Sequence, residues 1–174
     1  NNNTAHLGGS TFIRGNNVTV QNCNLDNNSA TLRGGALNIG GGDNCSVINV
    51  SLSNNRAGTD GGAVYVIGDN AFFDNVNSTN NTAQRGGSSF IGGNNVTVQN
   101  SNLNNNSASI RGGGLDVAGN DCTFVNVTLS NCHAEEDGGA VYVRGDNAFF
   151  DNVNSTNNTA QRGGSSFIGG NNAT

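Results

Sequence analysis

The chain contains no proline, methionine, tryptophan or lysine, and only 33% of it is hydrophobic. Each shortage excludes something. Its seven basic residues are all arginine and the net charge is -5, so there is no basic patch to hold a phosphate backbone, and nucleic acid is not an expected partner. No apolar run approaches the roughly 18 residues of a membrane-spanning helix, so no direct membrane span is expected in this segment. The chain opens on Asn1 in "NNNTAHLGG", which matches the internal "NNTAQRGG", so it reads as a mature or excised segment that starts within a pattern. Composition this polar would by itself indicate disorder, but periodicity overrules that reading.

What is abundant is glycine and asparagine, and both recur on a fixed period. Gly-Gly begins at Gly8, Gly34, Gly61, Gly86, Gly112, Gly138 and Gly163, at spacings of 26, 27, 25, 26, 26 and 25 residues. An asparagine column runs Asn22, Asn49, Asn75, Asn100, Asn126 and Asn152. A second runs Asn27, Asn54, Asn80, Asn105, Asn131 and Asn157, and an alanine always stands three residues after it. A period of this size marks a solenoid or a related array.

Glycine and asparagine content, and the lack of an apolar stripe at 3.6 spacing, exclude helices as the repeating unit. Short alternating runs are present instead. Leu37 and Ile39 share one strand face, as do Val64 and Val66; a second strand carries Val18 and Val20, or Val96 and Val98; a third carries Leu25, Leu52, Leu103 or Leu129. Three short strands per coil of about 26 residues predict an all-β fold, a single-stranded parallel β-helix of six full coils plus partial end coils, one solenoid over residues 1–174. Coils stacked at about 4.8 Å turn every column into a ladder of like residues. Asparagine ladders can hydrogen-bond along the stack, and asparagine tolerates the left-handed backbone of a sharp corner. The two asparagine columns are therefore the expected structural ladders, the first of them in an inaccessible corner. Gly-Gly makes another corner, where a Cβ would be in the way.

"GGAL" at Gly34, "GGAV" at Gly61 and Gly138, and "FFDN" at Phe72 and Phe149 resemble the GGA(I/L/V) and FxxN repeats of chlamydial polymorphic outer membrane proteins. The resemblance implies a right-handed β-helix exported to the cell surface, often adhesive. Other coils depart from the pattern, with "GGSS" or "GGGL" in place of GGA.

A longer period is superimposed. Gly61–Asn95 matches Gly138–Asn172 over 35 positions with one difference, Ile67 against Arg144, so three coils form a super-repeat of 77 to 78 residues. Duplication of that fidelity lengthens a fibre or stalk; a catalytic site gains nothing from it.

Candidate chemistry is correspondingly thin. The residue before each Gly-Gly gives Arg33, Asp60, Arg85 and then Arg111, Asp137, Arg162, an expected exposed ion-pair ladder. Glu135, Glu136 and Asp137 with His133 form the one acidic cluster, which reads as a solvated loop; its functional alternative is the site of a carbohydrate-active lyase or hydrolase. No catalytic residue, metal ligand or cofactor is assigned. Cys45 and Cys122 share an inward column too far apart to bridge, and with Cys23 and Cys132 are expected as free thiols. Among the N-x-S/T sequons, Asn77 and Asn154 point outward and are the glycosylation candidates. By alternation Phe12, Tyr65, Phe90, Tyr142 and Phe167 also face outward, as a contact surface for another chain or a sugar. The expected role is an extracellular or cell-surface structural or adhesive solenoid, a building block of a filament, stalk or fibre. Its expected partners are further copies of itself or of a related subunit stacked end to end, and glycans.

Overall fold

Every column named above becomes a rung in the computed structural model, which describes residues 2–174. All regular elements are β-strands, and every strand pair is parallel, coil against next coil. The chain winds through three sheets. The first has seven strands, running from Thr11–Ile13 through Leu37–Ile39, Val64–Val66, Ser89–Ile91, Leu115–Val117 and Val141–Val143 to Ser166–Ile168. The second has nine strands and includes Ser46–Ser53 and Phe72–Thr79. The third has six, among them Ser29–Arg33, Thr82–Arg85 and Ser107–Arg111.

The parallel solenoid and its coil length are as the sequence predicts, but the strands are distributed differently. The two strands expected after the first belong to one sheet. Ser46–Ser53 crosses Asn49 without a break, whereas the same path in a later coil is divided into Thr97–Gln99 and Asn102–Asn104. The third face is the segment Ser29–Arg33 and its equivalents, which the alternation rule does not single out because only its alanine points inward.

Asn49 shows how the bend is made. Its φ is 53°, and the residues equivalent to it are also left-handed. One left-handed residue shifts the phase of the alternation, so Val47 and Val50, three apart, are both buried at 0% and 1% exposure. The Gly-Gly corner is more restrictive. Gly61 has φ +63°, and a Cβ on Gly62 would lie 2.0 Å from the Gly87 carbonyl oxygen of the next coil. The second glycine is therefore required by the stacking itself, since the coils approach backbone to backbone there.

Inward columns from the first two sheets fill one continuous apolar core, with Leu37, Val64, Ile39, Val66, Val47, Phe124, Leu52 and Leu129 buried along it, while the third sheet contributes only its small buried alanines, Ala30, Ala57, Ala108 and Ala134. Rings stack along the axis inside as well, Phe124 over Phe150 with centroids 4.9 Å apart. Once per super-repeat this core turns polar. Ser78, Ser88 and Ser89 stand where the preceding coil has Leu52, Ala63 and Val64. They border a cavity of about 20 Å³, room for about one water molecule. The Ser78 and Ser88 hydroxyls lie 2.5 Å apart, and the Asn81 side-chain amide donates to Ser78 Oγ at 2.9 Å. The last coil repeats the arrangement with Ser155, Ser165 and Asn158.

Candidate functional surfaces

Asparagine forms two kinds of ladder, and they lie on opposite sides of the coil wall. The corner column is exposed, so the expected inaccessibility of Asn49 and Asn126 does not hold, and Asn22, Asn75, Asn100 and Asn152 are exposed with them. The amides still bond along the stack: Asn75 Nδ2 donates to Asn49 Oδ1 at 2.8 Å, Asn126 to Asn100 at 3.1 Å and Asn152 to Asn126 at 2.8 Å. The file is interrupted once, where Asn100 donates instead to Asp74 at 2.8 Å. The column of Asn27, Asn54, Asn80, Asn105, Asn131 and Asn157 is likewise exposed and left-handed; Asn105 donates to Asn80 at 2.6 Å, while Asn131 turns to Asn104.

The buried ladder is one residue further on and is not apparent from the sequence columns. Asn28, Asn55, Asn81 and Asn106 are at most 1% exposed. The backbone N–H groups of Asn28, Asn55 and Asn81 each donate to the next side-chain oxygen, Asn55 to Asn81 at 2.8 Å and Asn81 to Asn106 at 2.9 Å. The Asn55, Asn81 and Asn106 amides also donate back to a carbonyl of an earlier coil, as Asn81 Nδ2 does to Leu52 O at 2.8 Å. Cys132 replaces asparagine in this file, and burial pushes its thiol up from the ordinary value. Cys23, Cys45, Cys122 and Cys132 are all free; Cys45 and Cys122 are buried, as is Cys132.

The ion-pair column is not the exposed ladder that its spacing implies. Asp60 does lie between two arginines, 3.2 Å from Arg33 and 2.6 Å from Arg85, but its side chain is only 2% exposed. Asp137 meets Arg162 at 2.6 Å, whereas Arg111 turns away from it to Asp116 at 2.8 Å. The carboxylates are thus desolvated and the guanidinium groups form their outer cover.

That cover also changes the aromatic column. Tyr65 and Phe90 are 7% and 8% exposed, so they are not an open contact surface; Tyr142 and Phe167 are half-buried and Phe12 is exposed. Tyr65 stacks on Phe90 and Tyr142 on Phe167, each pair with centroids 5.3 Å apart. An arginine lies over every ring: Arg14 over Phe12, Arg33 over Tyr65, Arg85 over Phe90, Arg111 over Tyr142 and Arg162 over Phe167. Arginines of coils lacking a ring reach to the ring of the next coil, so one guanidinium both caps a π-face and neutralises a buried aspartate. Burial raises the Tyr65 phenol above its ordinary value, against the lowering field of Arg33. Asp116, in the same column, is also raised by burial, with the hydrogen bond and charge of Arg111 and the charge of Arg144 opposing the rise.

The acidic cluster is divided by the fold. Glu135 and Glu136 are exposed while Asp137 turns inward to Arg162, and His133 Nδ1 lies 2.8 Å from the Thr159 hydroxyl. Among the described residues no three of His, Cys, Asp and Glu converge as a metal-holding group. Asn77 and Asn154 are exposed on the second sheet.

This geometry defines a parallel β-solenoid whose surface is made of ladders. The family model of the Chlamydia polymorphic membrane protein repeat matches residues 49–67. That stretch runs from the corner Asn49 through buried Asn55, inward Ala57 and paired Asp60 to the glycine corner and Val64–Val66, so it spans the residues that shape one coil. The chain therefore carries a repeat similar to those of the polymorphic membrane proteins. No curated protein and no solved structure matches the chain.

Proposed function

We propose that this chain is a structural segment of a cell-surface or extracellular β-solenoid, a building block of a filament, stalk or fibre rather than an enzyme. The observation that carries the reading is duplication. Thirty-five residues recur with one change, and the two copies occupy equivalent coils of one unbroken parallel stack. Such a sequence specifies length and surface pattern, both of which grow with copy number. The repeat match supports a surface setting, because the matched family is one of membrane proteins. Partners in this reading are further copies of the chain or of a related subunit stacked coil on coil, since each coil offers the next a full row of backbone donors and acceptors.

The test is the state of the purified chain at low micromolar concentration, by light scattering and negative-stain microscopy. Rods longer than one chain, of constant width, are expected. A particle of monomer mass at every concentration overturns stacking. Turnover of polygalacturonate that disappears in Glu135→Gln would overturn the non-enzymatic reading.

A further inference from the structure

The three-coil period has a second structural consequence, on the third sheet. Coils differ there by one residue. Thr82–Arg85 spans four residues where Arg56–Asp60 before it and Ser107–Arg111 after it span five. The registers show this: Thr82 pairs with Arg56 and Ser107, and Arg85 with Asp60 and Arg111. The register shifts by that residue on either side, and the short coil lies between two longer ones. Ala83 is half-buried, whereas its neighbours Ala57 and Ala108 are 3% and 1% exposed. The result is an open groove of about 270 Å³, bordered by Arg56, Thr82, Gln84, Ser107, Ser109 and Glu135.

We infer that this groove is a saccharide-binding site, for a short oligosaccharide with a single carboxylate held by Arg56. Four features point there. First, Arg56 is the one arginine among the described residues with neither a carboxylate nor a ring; the other six are committed to Asp60, Asp116, Asp137 or an aromatic face. A guanidinium left free at the end of a groove is a fork for a carboxylate. Second, the remaining polar groups are hydroxyls, an amide and Glu135, which together donate to and accept from a ligand rich in hydroxyls. Third, the lining offers no large apolar side chain, and the backbone groups are spent in coil-to-coil bonds such as Gln84 N to Thr59 O at 3.0 Å and Ser107 N to Asn81 O at 2.9 Å. An apolar ligand has no anchor there, and a peptide strand has no free ladder to join. Fourth, Arg56 and Glu135 stand three coils apart, about 14 Å along the axis. The charged ends select a ligand with one terminal acidic sugar and neutral sugars beyond it, while a polyanion would meet Glu135.

Sialyllactose supplies that chemistry, and lactose is the same neutral end without the carboxylate. Titration of the whole chain by isothermal calorimetry and saturation-transfer NMR tests the site. Sialyllactose is expected to bind and lactose to bind much more weakly. Arg56→Gln, whose side chain holds nothing in the fold, is expected to weaken sialyllactose binding by about tenfold or more with unchanged thermal unfolding. Gln84→Ala weakens both sugars, and Arg14→Gln, outside the groove, weakens neither. Absence of sialyllactose binding at millimolar concentration, equal binding of lactose, or an unaltered Arg56→Gln would each overturn the assignment.

Discussion

Ile67 and Arg144 are the one mismatch between the two long copies, and a second mismatch answers it. In the preceding coil the first super-repeat has Asn38 where the second has Asp116. Arg144 lies 3.5 Å from the fully buried Asp116 carboxylate, which Arg111 also holds at 2.8 Å. The buried carboxylate occurs in the copy that has its second cation, and the copy with the amide Asn38 has the apolar Ile67 in that place. Converting one pair into the other should therefore be nearly neutral in the double variant Asp116→Asn, Arg144→Ile. Arg144→Ile alone should destabilise by about 1 kcal/mol, because it takes a charged partner from a desolvated group. A denaturation double-mutant cycle checks this, and additive single effects would dissociate the two positions. The pH dependence has a definite sign. Asp116 is raised in the folded state, so the native protein holds this proton more tightly than the unfolded chain. Its contribution is greatest below the unfolded value of about 4 and declines as pH rises from there through the folded value. Asp116→Asn should remove that decline.

At the scale of one coil, stability rests on positions whose neighbours are backbone. Gly62→Ala should cost about 2 kcal/mol or more in denaturant midpoint analysis, because the added Cβ meets the Gly87 carbonyl. The two asparagine columns should separate clearly. Asn81→Leu removes the acceptor of both the Asn55 N–H and the Asn55 amide at a fully buried position, an expected loss of about 3 kcal/mol. Asn75 is exposed with φ 52°, so Asn75→Gly should be tolerated within about 0.5 kcal/mol, and Asn75→Leu should cost only the left-handed strain of about 1 kcal/mol. Equal effects at Asn75 and Asn81 would contradict this division. The sequence shows the period, the glycine corner and the inward apolar columns, because each is written in residue type and spacing. It does not show which of two adjacent asparagines is inside. Asn54 and Asn55 look alike as letters; the left-handed turn at the first sends the second into the core. Cys132 was the available signal, since an apolar-tolerant residue replaces asparagine in one column of the pair only. The aromatic face is legible in direction but not in exposure, because alternation says where Tyr65 points and nothing of the Arg33 side chain laid over it. The groove beside Gln84 follows from one missing residue, visible only as the 25-residue spacing from Gly61 to Gly86.

Across the whole molecule, each coil touches only its two neighbours, so length and stability should grow by addition. The consequence is a direct test of modularity. A further copy of the 77-residue unit, inserted between Asn95 and Val96 as residues Val96–Asn172, joins coil to coil in the register already used. Three more coils should extend the particle by about 14 Å at unchanged cross-section. Small-angle scattering reads both quantities, with the cross-sectional radius held and the maximum dimension increased. Denaturant resistance should rise with them, because every added coil contributes an interface whose buried asparagine file, glycine corner and apolar columns continue those on either side. The inserted copy also brings a second four-residue segment, Thr159–Arg162, into the interior of the stack, where a following five-residue coil would flank it. His133 would then stand where Arg56 stands in the existing groove. An increase in cross-section, or a fall in stability, would mean that the copies are not interchangeable units, and the growth of the solenoid by duplication would lose its physical basis.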